Sequence, residues 1–309
     1  MVQKNRLEYN CIIVLGPTAS GKSDLALSLA KRYSGNIINC DSQQIYKDLS
    51  IGTAKPTLDE FNEVKHHLFD YIEIGEDYSV SRYYDEAITV FDQISSEGIL
   101  PIFVGGTGFY IDSLLYKHDY GHSDKNTTIR DKYNKIASEK GNEYLFNLLK
   151  NVDPITAEKL HANDLKRVIR ALEIAENGQL KSSQKLIPND KIKPFIIHVD
   201  IERDELYKRI NYRVDKMIEL GLEKEVELLH KKGFYDSDIK LPIGYSEWKE
   251  YYANKLSKEE TINLIKQHTR NYAKRQKTWF RRVICTMEYN PLHNTMQEVF
   301  NKTDKYFAK

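Results

Sequence analysis

An eight-residue loop near the start of the chain constrains the fold more than any other stretch. Gly16-Pro17-Thr18-Ala19-Ser20-Gly21-Lys22-Ser23 has the spacing of a phosphate-binding loop (P-loop). A short apolar run at 11–15 precedes it, and residues 23–33 follow with helical periodicity. Strand, loop and helix in this order turn several backbone N–H groups toward one point at a helix N-terminus, which favours an anion. The pattern predicts a polyphosphate site without identifying the polyphosphate.

Two side chains of the loop suit such a ligand. Lys22 adds a positive charge, and the hydroxyl of Ser23 is placed to ligate a magnesium ion that bridges phosphate oxygens. We therefore expect Mg²⁺ as a cofactor, with Ser23 as a ligand.

Length and composition narrow the class of protein. The 309 residues suit one main domain with an insertion, and 46 basic against 45 acidic residues give a net charge of +1 that indicates no partner by itself. Cys11, Cys40 and Cys285 are far apart and lack paired metal-ligand spacing, so we expect reduced thiols. The sequence has neither a signal-peptide pattern nor an 18-residue apolar stretch, which predicts a cytoplasmic protein that does not bind membranes.

Four short apolar runs predict buried parallel strands, at 11–15, 36–40, 99–104 and 195–199. Helical patterns separate them, which predicts an α/β fold: a P-loop parallel sheet core flanked by helices. Ligands bind outside the carboxyl ends of the strands in such sheets. The P-loop, Asp41 and Thr107 should therefore meet in one crevice.

The strand pattern is absent between the third and fourth of these runs. We predict three segments: 1–116 as the first part of the core, 117–194 as an all-α insertion domain, and 195–309 as the second part of the core. One insertion helix carries Lys166, Arg167 and Arg170, which fit either a solvated face or a binding surface.

Two later helical patterns concentrate basic residues. Residues 203–220 place Arg209, Arg213 and Lys216 on one side, although an ordinary salt-bridged surface explains them equally well. Residues 266–282 contain seven basic residues and no acid. Helical spacing aligns four of these and puts three large side chains opposite. The pattern favours one packed face and one face for a nucleic-acid backbone, with a solvated charged face as the alternative. The basic set is Arg270, Lys274, Lys277 and Arg281, and the opposite set is Tyr272, Gln276 and Trp279.

A phosphoryl-transfer enzyme needs an acid at the end of a strand beside the P-loop to hold magnesium. The run at 99–104 ends in Gly105-Gly106-Thr107, without a carboxylate. Asp41 is the acid best placed at a strand end, which favours a reaction in which Asp41 acts on an acceptor and the P-loop holds a leaving group.

The order of the motifs resembles that of the bacterial-type tRNA dimethylallyltransferases (tRNA isopentenyltransferases) from about residue 10 to 285. Besides the P-loop, the motifs are Asp41-Ser42-Gln43-Gln44-Ile45-Tyr46, Ile51-Gly52-Thr53-Ala54-Lys55-Pro56, Gly105-Gly106-Thr107-Gly108-Phe109-Tyr110, Ile243-Gly244-Tyr245 and Tyr272-Ala273-Lys274-Arg275-Gln276-Lys277-Thr278-Trp279-Phe280-Arg281.

The resemblance implies transfer of a dimethylallyl group from dimethylallyl diphosphate to N6 of the adenosine 3′-adjacent to the anticodon. Asp41 would be the general base, Thr107 would line the channel, and Arg213 would neutralise the departing diphosphate, with Arg209 a weaker candidate. The diphosphate-binding residues it implies are Gly16, Pro17, Thr18, Ala19, Ser20, Gly21, Lys22, Ser23 and Arg209. The tRNA-binding residues it implies are Asp41, Ser42, Gln43, Gln44, Thr107, Arg130, Lys166, Arg167, Val168, Ile169, Arg170, Pro242, Ile243, Gly244, Tyr245, Lys274, Arg275, Gln276, Lys277 and Arg281.

The sequence departs from the family pattern at Ser23, where Thr is usual, but the hydroxyl is retained. The partners implied are the anticodon stem-loop of tRNA and dimethylallyl diphosphate, and we expect a monomer. The alternatives are a P-loop kinase of nucleotides or small metabolites, an adenylate-type isopentenyltransferase, and an ATP-gated RNA-binding protein.

Overall fold

The structure is a computed structural model that describes residues 9–117, 127–236 and 239–308. These residues fall into two compact units. Tyr116–Pro188 belongs to the smaller unit, and the described residues on either side of it form the larger one. No helix in these ranges is both long and apolar enough to cross a membrane.

The described residues contain eight strands and thirteen α-helices. The strands are β1 Cys11–Leu15, β2 Asn36–Asn39, β3 His66–His67, β4 Pro101–Gly105, β5 Tyr116–Lys117, β6 Ile187–Pro188, β7 Pro194–Val199 and β8 Met287–Tyr289. The helices are α1 Lys22–Tyr33, α2 Leu58–Glu63, α3 Val80–Ser96, α4 Gly108–Leu115, α5 Thr127–Lys140, α6 Asn142–Val152, α7 Pro154–Ala157, α8 Leu165–Glu176, α9 Arg203–Glu219, α10 Leu222–Lys231, α11 Trp248–Tyr252, α12 Lys258–Phe280 and α13 Met296–Phe307. Short 3₁₀ turns lie at Lys181–Ser183 and Phe234–Asp236.

The larger unit is built on a six-stranded sheet with the order β3-β2-β4-β1-β7-β8, and all its pairings are parallel. The central strand β1 is buried on both faces, which explains why all five of its residues are apolar. Ile12 and Val14 pack with α1 and α13 on one face. Ile13 and Leu15 pack with α3 and α4 on the other face. The predicted α/β class, with a parallel sheet flanked by helices, is confirmed.

The predicted strands differ from the observed ones mainly at their ends and at the sheet edges. The strand predicted at 36–40 is β2, which stops at Asn39. The strand predicted at 99–104 is β4, which runs from Pro101 to Gly105. The edge strands β3 and β8 were not predicted, because two or three residues of mixed polarity give no periodic pattern. Parallel pairing with β2 and β7 defines them instead.

The smaller unit contains α5 to α8 around its own apolar core, which includes Leu145, Leu149 and Leu172. We predicted an all-α unit, but it also contains the antiparallel pair β5 and β6. Its C-terminal bound is Pro188 rather than the predicted residue 194. Pro194 instead pairs with Cys11 in the central sheet of the larger unit.

A buried carboxylate joins two helices of the smaller unit. The side chain of Glu173 in α8 is fully buried, and its Oε2 accepts from Arg130 Nε at 3.1 Å and lies 2.9 Å from Arg170 Nη1. Burial alone would raise the pKa of this carboxyl, but hydrogen bonds from Arg170 and Arg130 lower it overall. Glu173 is therefore an anion that holds α5 to α8.

We predict that Glu173→Ala lowers the free energy of unfolding of the smaller unit by about 2–4 kcal/mol, because two guanidinium groups lose their buried partner. Urea unfolding, with hydrogen exchange followed at amides within 127–188, measures the change. The matched control is Glu139→Ala, whose exposed pair with Lys135 at 3.9 Å should contribute less than about 1 kcal/mol. Equal effects of the two variants would contradict this account of Glu173.

Candidate active site

A cavity of about 690 Å³ opens in the larger unit at the carboxyl ends of the strands. Four segments line most of it: the P-loop, the turn after β2, the loop at 50–57, and one side of α9. Tyr272 and Thr269 of α12 complete the wall. The fold therefore brings the P-loop and Asp41 together, as the sequence analysis predicted, and it also places Arg213 in this cavity.

The P-loop has the backbone of an anion cradle. Gly21 precedes α1 with φ +90°, a conformation that side chains rarely adopt, and Ala19 also has a positive φ of 62°. The buried Lys22 donates from Nζ to Pro17 O at 3.3 Å, and the exposed Ser23 lies in the first turn of the helix. Gly21, Lys22 and Ser23 all line the cavity, and their N–H groups belong to the N-terminal end of α1, where an anion is stabilised.

Two arginines from α9 add to the positive charge of this end of the cavity. Arg209 and Arg213 both line it, and Arg209 is paired with Glu205 at 3.3 Å. Burial lowers the pKa of Arg213, and the negative charges of Asp41 and Asp24 oppose that shift. Burial also lowers the pKa of Lys22 to about 8, and Arg213 contributes in the same direction against Asp41. The cavity thus concentrates positive charge at the P-loop, which an anionic ligand would stabilise.

The residues fit magnesium as well as phosphate. The exposed Ser23 hydroxyl and the Asp24 carboxylate follow each other at the start of α1, and both residues line the cavity. Hydroxyl and carboxylate oxygens, completed by phosphate oxygens, are the donors that Mg²⁺ takes in such sites. Nearby Arg209, Arg213 and Lys22 oppose the rise in pKa that burial and Glu60 cause in Asp24.

A tight turn fixes Asp41 at the end of β2. Asn39 accepts from the Asp41 N–H at 2.8 Å and donates to the Asp41 carbonyl at 3.0 Å, while Asp41 Oδ1 accepts from the Gln43 N–H at 2.9 Å. The hydroxyl of Thr107 accepts from Ser42 N at 2.9 Å and donates to Ser42 Oγ at 3.1 Å. Thr107 was predicted to line the channel, but it is not among the residues lining the cavity and instead holds this turn. The sequence analysis missed the role of Asn39.

The loop at 50–57 is held from two sides. Gln44 donates to Thr53 O at 3.0 Å and Ala54 O at 2.8 Å, and Glu225 accepts from Ile51 N at 3.1 Å. Among the predicted tRNA contacts in the 242–245 stretch, Ile243 and Gly244 line the cavity and Pro242 is partly buried.

Tyr245, the remaining residue of that stretch, is a correction. Its side chain is fully buried, and its hydroxyl accepts from the Gly52 N–H at 2.9 Å and donates to Glu225. Tyr245 therefore supports the loop at 50–57 and presents no surface to tRNA.

The helix α12 reaches the cavity with its packed face. Tyr272, which is buried over most of its side chain, lines the cavity. Burial and the charge of Asp41 raise the pKa of Tyr272, so the phenol stays protonated. The sequence analysis placed Tyr272 only in the packing face and missed that it lines the cavity, where the charge of Asp41 acts on it.

The opposite face of α12 keeps part of its predicted positive charge. Lys274, Arg275 and Arg281 are exposed. Lys277 is largely buried, lies 2.7 Å from Asp200 Oδ1 and donates to Ile201 O, whereas Arg270 donates to Asn211 at 2.6 Å. The free charge on this face is smaller than the sequence alone predicts.

Gln276 is a second correction. The sequence resemblance assigned it to tRNA contact, but its side chain is only 4% exposed and its amide hydrogen-bonds within the protein. Periodicity, which placed Gln276 on the packed face, predicted its position.

In the smaller unit, too, some of the predicted tRNA-binding residues are exposed and others are buried or bound to protein groups. Lys166 and Arg167 are exposed on α8, although Arg167 pairs with Asp164 at 3.0 Å. Val168 and Ile169 are buried in the core of the unit, which corrects their assignment as tRNA contacts. Arg130 and Arg170 are half-exposed but bound to Glu173.

The three cysteines are free thiols, and Cys11 and Cys40 are fully buried in the core. Cys285 lies near His198 and the exposed Glu288, where the possible donor atoms are within 4.8 Å of one another. The register that pairs His198 with Glu288 brings them together, which no sequence spacing reveals. Three donors are fewer than the four protein ligands that close a structural zinc site.

The chain matches known proteins over most of its length. The family model described as IPP transferase matches residues 44–283. The tRNA dimethylallyltransferase of Acetivibrio thermocellus is 43% identical over 303 residues, covering 96% of this chain and 97% of the relative. That of Alkaliphilus metalliredigens is 40% identical over 311 residues, covering 97% of this chain and 99% of the relative.

Solved structures give the same result. The full-length tRNA isopentenylpyrophosphate transferase of Bacillus halodurans is similar with a TM-score of 0.71 and 34% identity, covering 96% of each chain. A eukaryotic dimethylallyltransferase acting on tRNA is similar with a TM-score of 0.83 and 29% identity, covering 96% of this chain and 79% of that one.

The cation cluster, formed by Lys22, Arg209 and Arg213, leads to a prediction about proton uptake on ligand binding. An organic diphosphate bound at Lys22 favours the ammonium form and raises its pKa above the value of about 8 that burial gives it. Binding at pH 8 should therefore take up about half a proton, and the affinity should fall as the pH rises further. Calorimetry with dimethylallyl diphosphate and magnesium, in buffers of different ionisation enthalpy, measures this uptake. Lys22→Met should bind weakly and take up none; undiminished proton uptake in that variant would assign it to another group.

Proposed function

Because this chain belongs to the IPP transferase family, we propose that it transfers a dimethylallyl group from dimethylallyl diphosphate to N6 of the adenosine 3′-adjacent to the anticodon in certain tRNAs. Diphosphate is the second product. One observation carries the proposal: the P-loop with its cation cluster and the Asp41 carboxylate line the same cavity. An anionic leaving group and an acceptor that must lose a proton require such a pair.

The donor would bind with its diphosphate at the N-terminus of α1. Lys22, Arg213 and the N–H groups of the P-loop would stabilise the negative charge that develops as the allylic C–O bond breaks. Ser23 would hold magnesium, which adds Lewis-acid stabilisation of the diphosphate oxygens when it is bound. These preorganised charges would lower the free-energy barrier to departure of diphosphate.

The acceptor amine would approach from the side of Asp41. A new C–N bond forms between the allylic carbon and N6 while the C–O bond breaks, and its electron pair leaves with diphosphate. The N6 proton passes to the Asp41 carboxylate, since an exocyclic amine is a poor nucleophile unless a base accepts its proton. Asn39 and the Gln43 N–H hold that carboxylate in place.

The target base must leave the stacked anticodon loop to reach this cavity. Lys274 and Arg275 on α12, and Arg281 directly after it, offer exposed positive charge for the phosphates of the anticodon stem-loop. In the smaller unit, Lys166 and Arg167 on α8 offer a second basic surface. We propose that the enzyme acts in the cytoplasm as a monomer.

A transfer assay tests the proposal. Purified protein, magnesium and radiolabelled dimethylallyl diphosphate are incubated in parallel with unmodified tRNA, with AMP and without an acceptor. The proposal requires label at an adenine N6 of tRNA in the absence of ATP. Label in AMP alone would indicate an adenylate-type enzyme, and ATP-dependent phosphoryl transfer without prenylation would indicate a kinase.

We predict that Asp41→Asn lowers the rate of prenyl transfer by about 10²–10⁴, which is the usual contribution of a general base. The tRNA dissociation constant should change by less than about threefold, because the amide keeps the shape of the side chain. Single-turnover kinetics and filter binding measure the two effects. Asp59→Asn, an exposed acid on α2, is the matched control. A near-normal rate in Asp41→Asn would remove the general-base role.

We also predict that the double variant Lys274→Ala and Arg275→Ala weakens tRNA binding and flattens its salt dependence. The slope of log K against log[salt] should fall in magnitude by about 1.4–1.8, because each phosphate contact contributes roughly 0.7–0.9. The control is Lys302→Ala and Lys305→Ala, which removes two exposed charges from α13. An equal slope in the wild type and the α12 variant would exclude α12 from the interface.

A further inference from the structure

The side-chain amide of Gln276 joins three parts of the larger unit. Its Nε2 donates to Gly106 O at 2.8 Å, and its Oε1 accepts from the Thr18 N–H at 2.8 Å. Thr18 belongs to the P-loop, Gly106 follows β4, and Gln276 lies in α12, 258 residues from Thr18 in the chain. The amide is therefore a bridge between the donor loop, the loop after β4 and the basic helix.

The bridge is closely fitted. A Cβ atom at Gly106 would lie 2.2 Å from Gln276 Nε2, so this position accepts only glycine while the bridge is intact. One helical turn earlier, Tyr272 on the same side of α12 lines the cavity. The packed face of α12 therefore holds the P-loop through Thr18 and also reaches the cavity that Asp41 lines.

We propose that Gln276 is a positioning residue that couples tRNA binding to donor binding. The inference rests on the proposed function, in which the exposed face of the same helix binds tRNA. Gln276 touches neither substrate, because its amide is buried and bonded to protein atoms on both sides. It acts through Thr18 and Gly106, whose backbones fix the P-loop relative to the loop after β4.

The physical basis is that α12 is one continuous helix of 23 residues with the two functions on opposite faces. Phosphates bound at Lys274 and Arg275 restrict the position of the helix, and the buried amide transmits that restriction to the P-loop through two hydrogen bonds. A ligand at the P-loop restricts the helix by the same route. The coupling must be reciprocal, because it is a single free energy shared by two binding equilibria.

The test measures this coupling directly. The dissociation constant of dimethylallyl thiodiphosphate, an unreactive donor analogue, is measured with magnesium in the absence and in the presence of saturating tRNA. We expect tRNA to tighten analogue binding about fivefold or more in the wild type. Gln276→Met keeps a similar side-chain volume without hydrogen bonds, and its coupling should fall below about twofold while tRNA affinity changes less than about threefold.

Two further variants make the result specific. Gln267→Met changes an exposed glutamine of the same helix and should keep the wild-type coupling. Gly106→Ala displaces the Gln276 amide from the loop side and should lose the coupling even if Gln276→Met fails to fold. If Gln276 had only a structural role, its replacement would reduce stability, and it would not abolish the coupling while leaving the affinities for each ligand alone unchanged.

The outcomes separate this inference from the proposed function. If the wild type binds both ligands without coupling, or if Gln276→Met and Gly106→Ala both retain it, the inference is wrong and the proposed function stands. If the wild type binds no tRNA, the proposed function fails and the inference fails with it. Coupling that is present in the wild type and Gln267→Met, and lost in the other two variants, supports the inference.

Discussion

The parallel pairing of β2, β4, β1 and β7 is the constraint on which the rest of the structure depends. The register aligns Ile37 with Ile102, Ile102 with Ile12, and Ile12 with Phe195, so the strands end along one line. The loops after them must then share a small volume. A Cβ atom at Gly105 would lie 2.2 Å from the backbone of Cys40, which shows how closely the β2 and β4 ends approach. Residues scattered over the sequence meet in one cavity for this reason.

The electrostatics of the cavity follow from that convergence. Lys22 and Arg213 are held near each other at the N-terminal end of a helix, and burial lowers the pKa of both. The negative charge of Asp41, which lines the same cavity, opposes those shifts. An anion entering at the P-loop restores the balance of charge and leaves Asp41 available to a second reactant. In this arrangement the leaving group binds at the P-loop and the base is Asp41, so no carboxylate is needed at the end of β4.

Apolar runs and local spacing allowed the α/β class, the P-loop and the meeting of the P-loop with Asp41 to be predicted, whereas only the resemblance to the family indicated Arg213. The sequence could not reveal β3 and β8, which are too short to be periodic and are defined by their neighbours. It also could not show which basic residues are free: Lys277 and Arg270 are bound to protein groups far away in the chain. For Gln276, helical periodicity predicted a buried position, whereas the motif predicted contact with tRNA. The structure shows it buried, because the periodicity of apolar positions follows burial.

The central claim is that one cavity serves the diphosphate of the donor and the base that deprotonates the acceptor. A crystal structure of the protein with tRNA, magnesium and dimethylallyl thiodiphosphate tests it most directly. We predict diphosphate oxygens on the N–H groups of Gly21 to Ser23 and near Arg213, with the target adenine extruded and its N6 within hydrogen-bond reach of Asp41. A diphosphate bound away from the P-loop, or an N6 far from Asp41, would contradict the account.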